Sequence, residues 1–105
     1  MLDKEMIRKT IHSVMPNGLI SQIIVFGSMA RGDATDDSDV DICVITNGDI
    51  TCDDAKAYRG QMNRIFAFQH RISTDILLKS SNELERCRNV AGAIENEIIR
   101  DGVVI

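Results

Sequence analysis

The sequence predicts an α+β protein, a small mixed β-sheet with helices packed against it. Three observations carry that expectation. Short apolar runs rich in Ile and Val alternate with longer segments whose apolar residues recur at helical spacing. The chain has 105 residues, 44% hydrophobic and 27% charged, the size and balance of a single soluble domain over residues 1–105. The connection between the first two apolar runs is too short for a crossover helix. Those two strands are therefore either antiparallel neighbours or separated by another strand.

The elements follow in order. Over residues 2–15, Leu2, Met6, Ile7, Ile11, Val14 and Met15 form an apolar stripe opposite Lys4, Glu5, Arg8 and Lys9, which reads as an amphipathic helix. Pro16-Asn17-Gly18 stops it. Residues 19–26 read as a first strand, apolar on both faces toward its end. A short helical turn is expected over 29–31 and a loop over 32–38, from the Gly, Asp, Thr and Ser content. Residues 39–45 read as a second strand, ended by Asn47-Gly48-Asp49. Thr51 opens a long helix with Asp53 and Asp54 in its first turn and a stripe of Ala55, Tyr58, Met62, Ile65 and Phe66; Gly60 weakens it. Residues 72–78 read as a third strand. Ser80 and Glu83 have capping-box spacing ahead of a helix with the stripe Leu84, Cys87, Ala91, Ile94 and Ile98. Asp101-Gly102 ends that helix, and Val103-Val104-Ile105 reads as a short last strand.

Composition excludes some classes of function. No apolar run reaches the ~20 residues that span a bilayer, and the N-terminus has no signal-peptide pattern. Three cysteines, Cys43, Cys52 and Cys87, lack paired spacing, which predicts reduced thiols and a cytoplasmic protein rather than a disulfide or zinc scaffold. Net charge is −4, and residues 1–50 hold four Lys/Arg against eight Asp/Glu. That balance disfavours bulk nucleic acid binding. His12 and His70 have no metal-ligand company and read as surface or packing residues.

The acidic half centres on Gly27-Ser28, followed after ten residues by Asp39-Val40-Asp41. In a strand, Asp39 and Asp41 share a face about 6.5 Å apart. Paired carboxylates repel unless a cation lies between them, and a hard divalent cation suits all-oxygen ligands. Gly27 permits a tight turn with close backbone approach, and Ser28 adds a hydroxyl, at a point where a helix start favours phosphate. Arg31 is placed to clamp a phosphate oxygen. Asp33, Asp36 and Asp37 read as a solvated loop. A phosphate cradle beside paired carboxylates points to metal-assisted phosphoryl or nucleotidyl transfer. Asp75 is the acidic residue inside the third strand. If that strand lies beside the second, Asp75 faces Asp39 and Asp41 as a third ligand and as general base toward an acceptor hydroxyl. A carboxylate buried among Ile72, Ile76, Leu77 and Leu78 would need such a partner.

The spacing of Gly27-Ser28 and Asp39-Val40-Asp41 resembles the signature of the nucleotidyltransferase superfamily that includes DNA polymerase β-like enzymes. The fuller run over residues 27–45 resembles the minimal nucleotidyltransferase domain, and the ending over residues 98–105 is similar to the way such domains close. The resemblance implies the polymerase β-like nucleotidyltransferase fold, two Mg2+ ions and a nucleoside triphosphate. It puts Gly27 and Ser28 on the triphosphate, Arg31 at the family's basic position, Asp39 and Asp41 on the metals, and Asp75 as the third carboxylate. Stand-alone domains of this kind are similar to antitoxins encoded beside a HEPN-domain toxin, where the antitoxin transfers AMP from ATP to a tyrosine of the toxin.

Two other functions compete. One is a non-catalytic antitoxin that neutralises its partner by complex formation; for it the aspartates are dispensable. The other is nucleotide transfer to a small molecule, against which the chain shows no second domain to grip an acceptor. That same lack points to a partner protein and a hetero-oligomer.

Overall fold

The computed structural model describes residues 3–27, 39–87, 92, 98 and 100–105. Helix α1 (Lys4–Val14) begins where the Asp3 carboxylate accepts the Met6 N–H at 3.1 Å, an N-cap that satisfies one orphan donor. It ends at Met15, which is extended ahead of Pro16. A 3-10 turn (Asn17–Leu19) follows, closed by the Leu19 N–H donating to the Pro16 carbonyl at 3.0 Å. Strand β1 (Ile20–Phe26) therefore starts one residue later than the apolar run suggests.

Strand β2 (Val40–Thr46) and helix α2 (Cys52–Gln69) come next. The Thr51 hydroxyl caps α2 by accepting the Asp54 N–H at 3.1 Å. Strand β3 runs Thr74–Ser80, starting and ending two residues later than expected. The physical reason lies in how α2 stops. Arg71 takes a left-handed φ of 58°, and the Ile72 N–H turns back to the Phe66 carbonyl at 3.1 Å. Ile72 thus belongs to the helix closure, and the ladder begins later.

Helix α3 (Ser81–Cys87) opens on a complete capping box. The Ser80 hydroxyl accepts the Glu83 N–H at 3.1 Å, and the Glu83 carboxylate accepts the Ser80 N–H at 3.2 Å. Ser80→Ala should cost about 0.5–2 kcal/mol in urea unfolding. Strand β4 (Val103–Val104) ends the chain's regular structure, after the Gly102 N–H closes on the Ile98 carbonyl at 2.9 Å. The expected turn over 29–31, the loop over 32–38, and the Cys87, Ala91 and Ile94 side chains of the last stripe lie outside the described residues.

The sheet order is β3-β2-β1-β4. Of the two arrangements open for the first strand pair, the antiparallel one holds: β1 runs against β2 with Ile23 opposite Val44 and Phe26 opposite Asp41. β2 and β3 are parallel, with Asp41 opposite Asp75. β4 pairs antiparallel with β1 through Ile24 and Val25. Alternation gives the sheet two apolar faces. On one, Val25, Val40, Ile42, Val44 and Ile76 pack with Ile7 and Ile11 of α1 and Met62 and Phe66 of α2. On the other, Ile24, Phe26, Cys43 and Ile45 pack with Ile98, Leu77 and Leu84. β2 is thus buried on both sides, from Ile42 to Thr46. Phe66 is fully buried, and Phe66→Ala should destabilise the fold by about 3–5 kcal/mol in a urea titration. Among the described residues, no helix is long and apolar enough to cross a membrane.

Candidate active site

Strand direction assembles the site. Because β1 runs against β2 and β2 runs with β3, the C-terminal end of β1 meets the N-terminal ends of β2 and β3 at one end of the sheet. Gly27 follows β1 there. Asp41 lies at the start of β2, directly across the parallel ladder from Asp75. Neighbouring strands are about 4.8 Å apart, so the two carboxylates project side by side. They share the face of Cys43, Ile45 and Leu77, beyond the apolar cover of that face. Asp39 stands two residues before Asp41 and is exposed.

Gly27 has a φ of +72°, a left-handed conformation that glycine adopts without strain. A Cβ on Gly27 would lie 2.1 Å from Asp41 Oδ2 and 3.0 Å from its Cγ. Glycine therefore does more here than turn the chain: its missing side chain is the space that the Asp41 carboxylate fills. The sequence pattern marked Gly27 for phosphate approach and did not show this contact, which depends on the strand register.

Two hydrogen bonds fix the start of β3 against its neighbours. The Val40 N–H donates to the Ser73 carbonyl at 2.9 Å, and the Thr74 hydroxyl donates to the Asn63 side chain of α2 at 2.7 Å. They pin the residues just ahead of Asp41 and Asp75 on the two strands. Asn63 was not legible as a site-supporting residue, because its spacing to Thr74 signals nothing without the α2–β3 packing.

One expectation is corrected. Asp75 is exposed, not buried among Ile72, Ile76, Leu77 and Leu78. The apolar neighbours in sequence belong to the other face or lie farther along the strand. No cost of burying a charge can be argued for it. It also makes no ion pair with Arg71 among the described residues. Ser28 and Arg31 lie outside the described residues.

The donor set is all oxygen, with no His or Cys in it, and suits a hard cation such as Mg2+. The Gly27 notch holds one of these carboxylates, Asp41, at this end of the sheet. Like charges directly across a ladder repel, and a cation between them would relieve that repulsion. Among the described residues, no group of three or more His, Cys, Asp or Glu side chains is already drawn together around one metal position. The residues fit the ion in the chemistry of their oxygen donors, with Asp41 and Asp75 opposed across the ladder and Asp39 two residues before Asp41.

A family model for polymerase beta nucleotidyltransferases matches residues 8–105. The chain belongs to that family. No curated protein sequence matches it. Solved structures share the family fold. A candidate nucleotidyltransferase from Sulfolobus solfataricus is 22% identical with a TM-score of 0.62, over 95% of this chain and 73% of that one. A toxin–antitoxin complex with AMP-PNP is 20% identical with a TM-score of 0.65, over 98% of this chain and 72% of that one. A candidate minimal nucleotidyltransferase is 21% identical with a TM-score of 0.61, over 99% and 97%. At these identities the structures establish the fold, a mixed four-stranded sheet with flanking helices.

Proposed function

We propose that this family member transfers a nucleoside monophosphate, AMP from ATP, to a hydroxyl of a partner protein, and that it acts as the antitoxin of a HEPN-type toxin. The observation that carries the catalytic part is the opposition of Asp41 and Asp75 beside the Gly27 notch. The partner part is supported by likeness to the toxin–antitoxin fold.

In this reading Asp39, Asp41 and Asp75 hold two Mg2+ ions, and Gly27, Ser28 and Arg31 bind the triphosphate. Bound Mg2+ would supply charge neutralisation on the phosphates and a lower barrier to attack. The acceptor hydroxyl oxygen forms a bond to the α-phosphorus. The bond from the α-phosphorus to the bridging oxygen breaks, and pyrophosphate leaves with its electron pair. Asp75, exposed at the start of β3, takes the hydroxyl proton as general base.

The test uses the full chain, ATP labelled at the α-phosphate, Mg2+, and the protein encoded beside it. The partner should acquire label, and the double variant Asp39→Asn with Asp41→Asn should leave it unlabelled and active as a toxin. If the double variant neutralises the partner as well as the parent does, complex formation is the mechanism and transfer is not. Separately, Asp75→Asn should lower kcat more than the KM for ATP, measured by steady-state kinetics.

A further inference from the structure

Asp75 stands near the start of β3, and β3 is an outer strand of the described sheet. Its ladder partner is β2, where Asp75 lies directly across from Asp41. Like charges opposed on a ladder push the strands apart, and the end of an outer strand is where a sheet opens most readily. Something must hold this end of β3 against that repulsion.

Alternation sends Thr74 and Ile76 to the face opposite Asp75. Ile76 is buried in one cluster with Met62 and Phe66 of α2. Thr74 is half-buried and lies opposite Val40, at the rung before the carboxylates. Its hydroxyl donates to the Asn63 side chain at 2.7 Å. Asp75 is thus bracketed by two attachments to α2, a hydrogen bond on one side and apolar packing on the other.

The bond also explains why α2 carries an asparagine. Asn63 is exposed inside an 18-residue helix, where alanine would suit the helix better. Among the described residues its side chain bonds to Thr74 and to no other group.

We propose that Asn63 is a positioning residue for the transfer reaction. Through Thr74 it ties the start of β3 to α2 and keeps the Asp75 carboxylate opposite Asp41 before a cation arrives to join them. The role rests on the reading of Asp75 as metal ligand and general base given above. Asn63 acts through Thr74 and not on the substrate. Without the bond the strand start opens, and a divalent cation has to draw the two carboxylates together as it binds.

The test compares Thr74→Val and Asn63→Ala with Thr74→Ser in the full chain. Valine suits a strand and alanine a helix, so neither exchange opposes its own element. Hydrogen exchange over residues 73–76 is read by mass spectrometry, Mn2+ binding by calorimetry, stability by urea midpoint, and transfer with ATP labelled at the α-phosphate and the protein encoded beside this one. Thr74→Val and Asn63→Ala should each speed exchange over residues 73–76. Each should also raise the Kd for Mn2+ and lower kcat by about 10-fold, with the urea midpoint close to that of the parent. The two together should do no more than either alone, because both remove the same bond. Thr74→Ser keeps the hydroxyl and should retain the parental values. Parental exchange rates in both variants overturn the proposal. So do parental kcat and Mn2+ affinity in variants of a chain that transfers, or losses that follow the urea midpoint and are shared by Thr74→Ser. A parent that neither transfers nor binds Mn2+ refutes the reading of the site instead, and the exchange rates then decide whether Asn63 holds the strand.

Discussion

Replacing Asp41 by asparagine should reduce nucleotidyl transfer by at least about 10³-fold, ~4 kcal/mol of transition-state stabilisation, while the chain stays folded. Asparagine keeps the shape that fills the Gly27 notch and loses the charge that would hold a divalent cation opposite Asp75. The half-buried position at the strand end tolerates an isosteric side chain. The sensitive measurements are single-turnover transfer and calorimetric titration with Mg2+ or Mn2+. The parent should bind metal and gain thermal stability with metal concentration, as any ligand of the folded state confers. The variant should lose both responses and retain the urea midpoint of the parent. Transfer persisting at parental rates in Asp41→Asn would remove the paired-carboxylate site from the mechanism.

Gly27→Ala should cost both stability and activity, by separable routes. A side chain at φ +72° pays the left-handed penalty of about 1–2 kcal/mol, and the new methyl would stand 2.1 Å from Asp41 Oδ2. One of the two must move. Displacing the carboxylate by even an ångström from a metal position costs on the order of 10²-fold in rate. Gly18→Ala is the matched control: no atom lies within 4 Å of its Cβ position and its φ is not left-handed. Thermal unfolding and transfer assays on the pair should show Gly18→Ala close to the parent in both. Gly27→Ala should be lower in melting temperature and much lower in kcat. Equal activity of the two variants would mean that the notch does not position Asp41.

Much of the fold was readable because local rules and burial agree. Thr51 is a short oxygen side chain ahead of an apolar stripe, and it caps its helix. Ser80 and Glu83 close a capping box because three residues is one turn. Strand limits were less legible. Ile72 is apolar and β-branched, yet the left-handed Arg71 and the Phe66 carbonyl draw it into the end of α2. That outcome depends on how α2 seats on the sheet, which no local pattern encodes. The burial argued for Asp75 failed for a related reason. Sequence neighbours in a strand point to opposite faces, and exposure is set by what covers each face, not by who is adjacent.

The sequence by itself singled out the candidate residues of the site. Carboxylates at two-residue spacing after a glycine and a serine, within helix and strand periods, already select an α+β nucleotidyltransferase. Tertiary structure alone decided how the distant members meet. The parallel register puts Asp75 directly across from Asp41, and the antiparallel turn of β1 delivers Gly27 to the same carboxylate. Spacing along a chain fixes local geometry through a few dihedral angles. Strand order and register are fixed only when every strand buries its apolar face at once, so the contact between Gly27 and Asp41 exists only in the folded sheet.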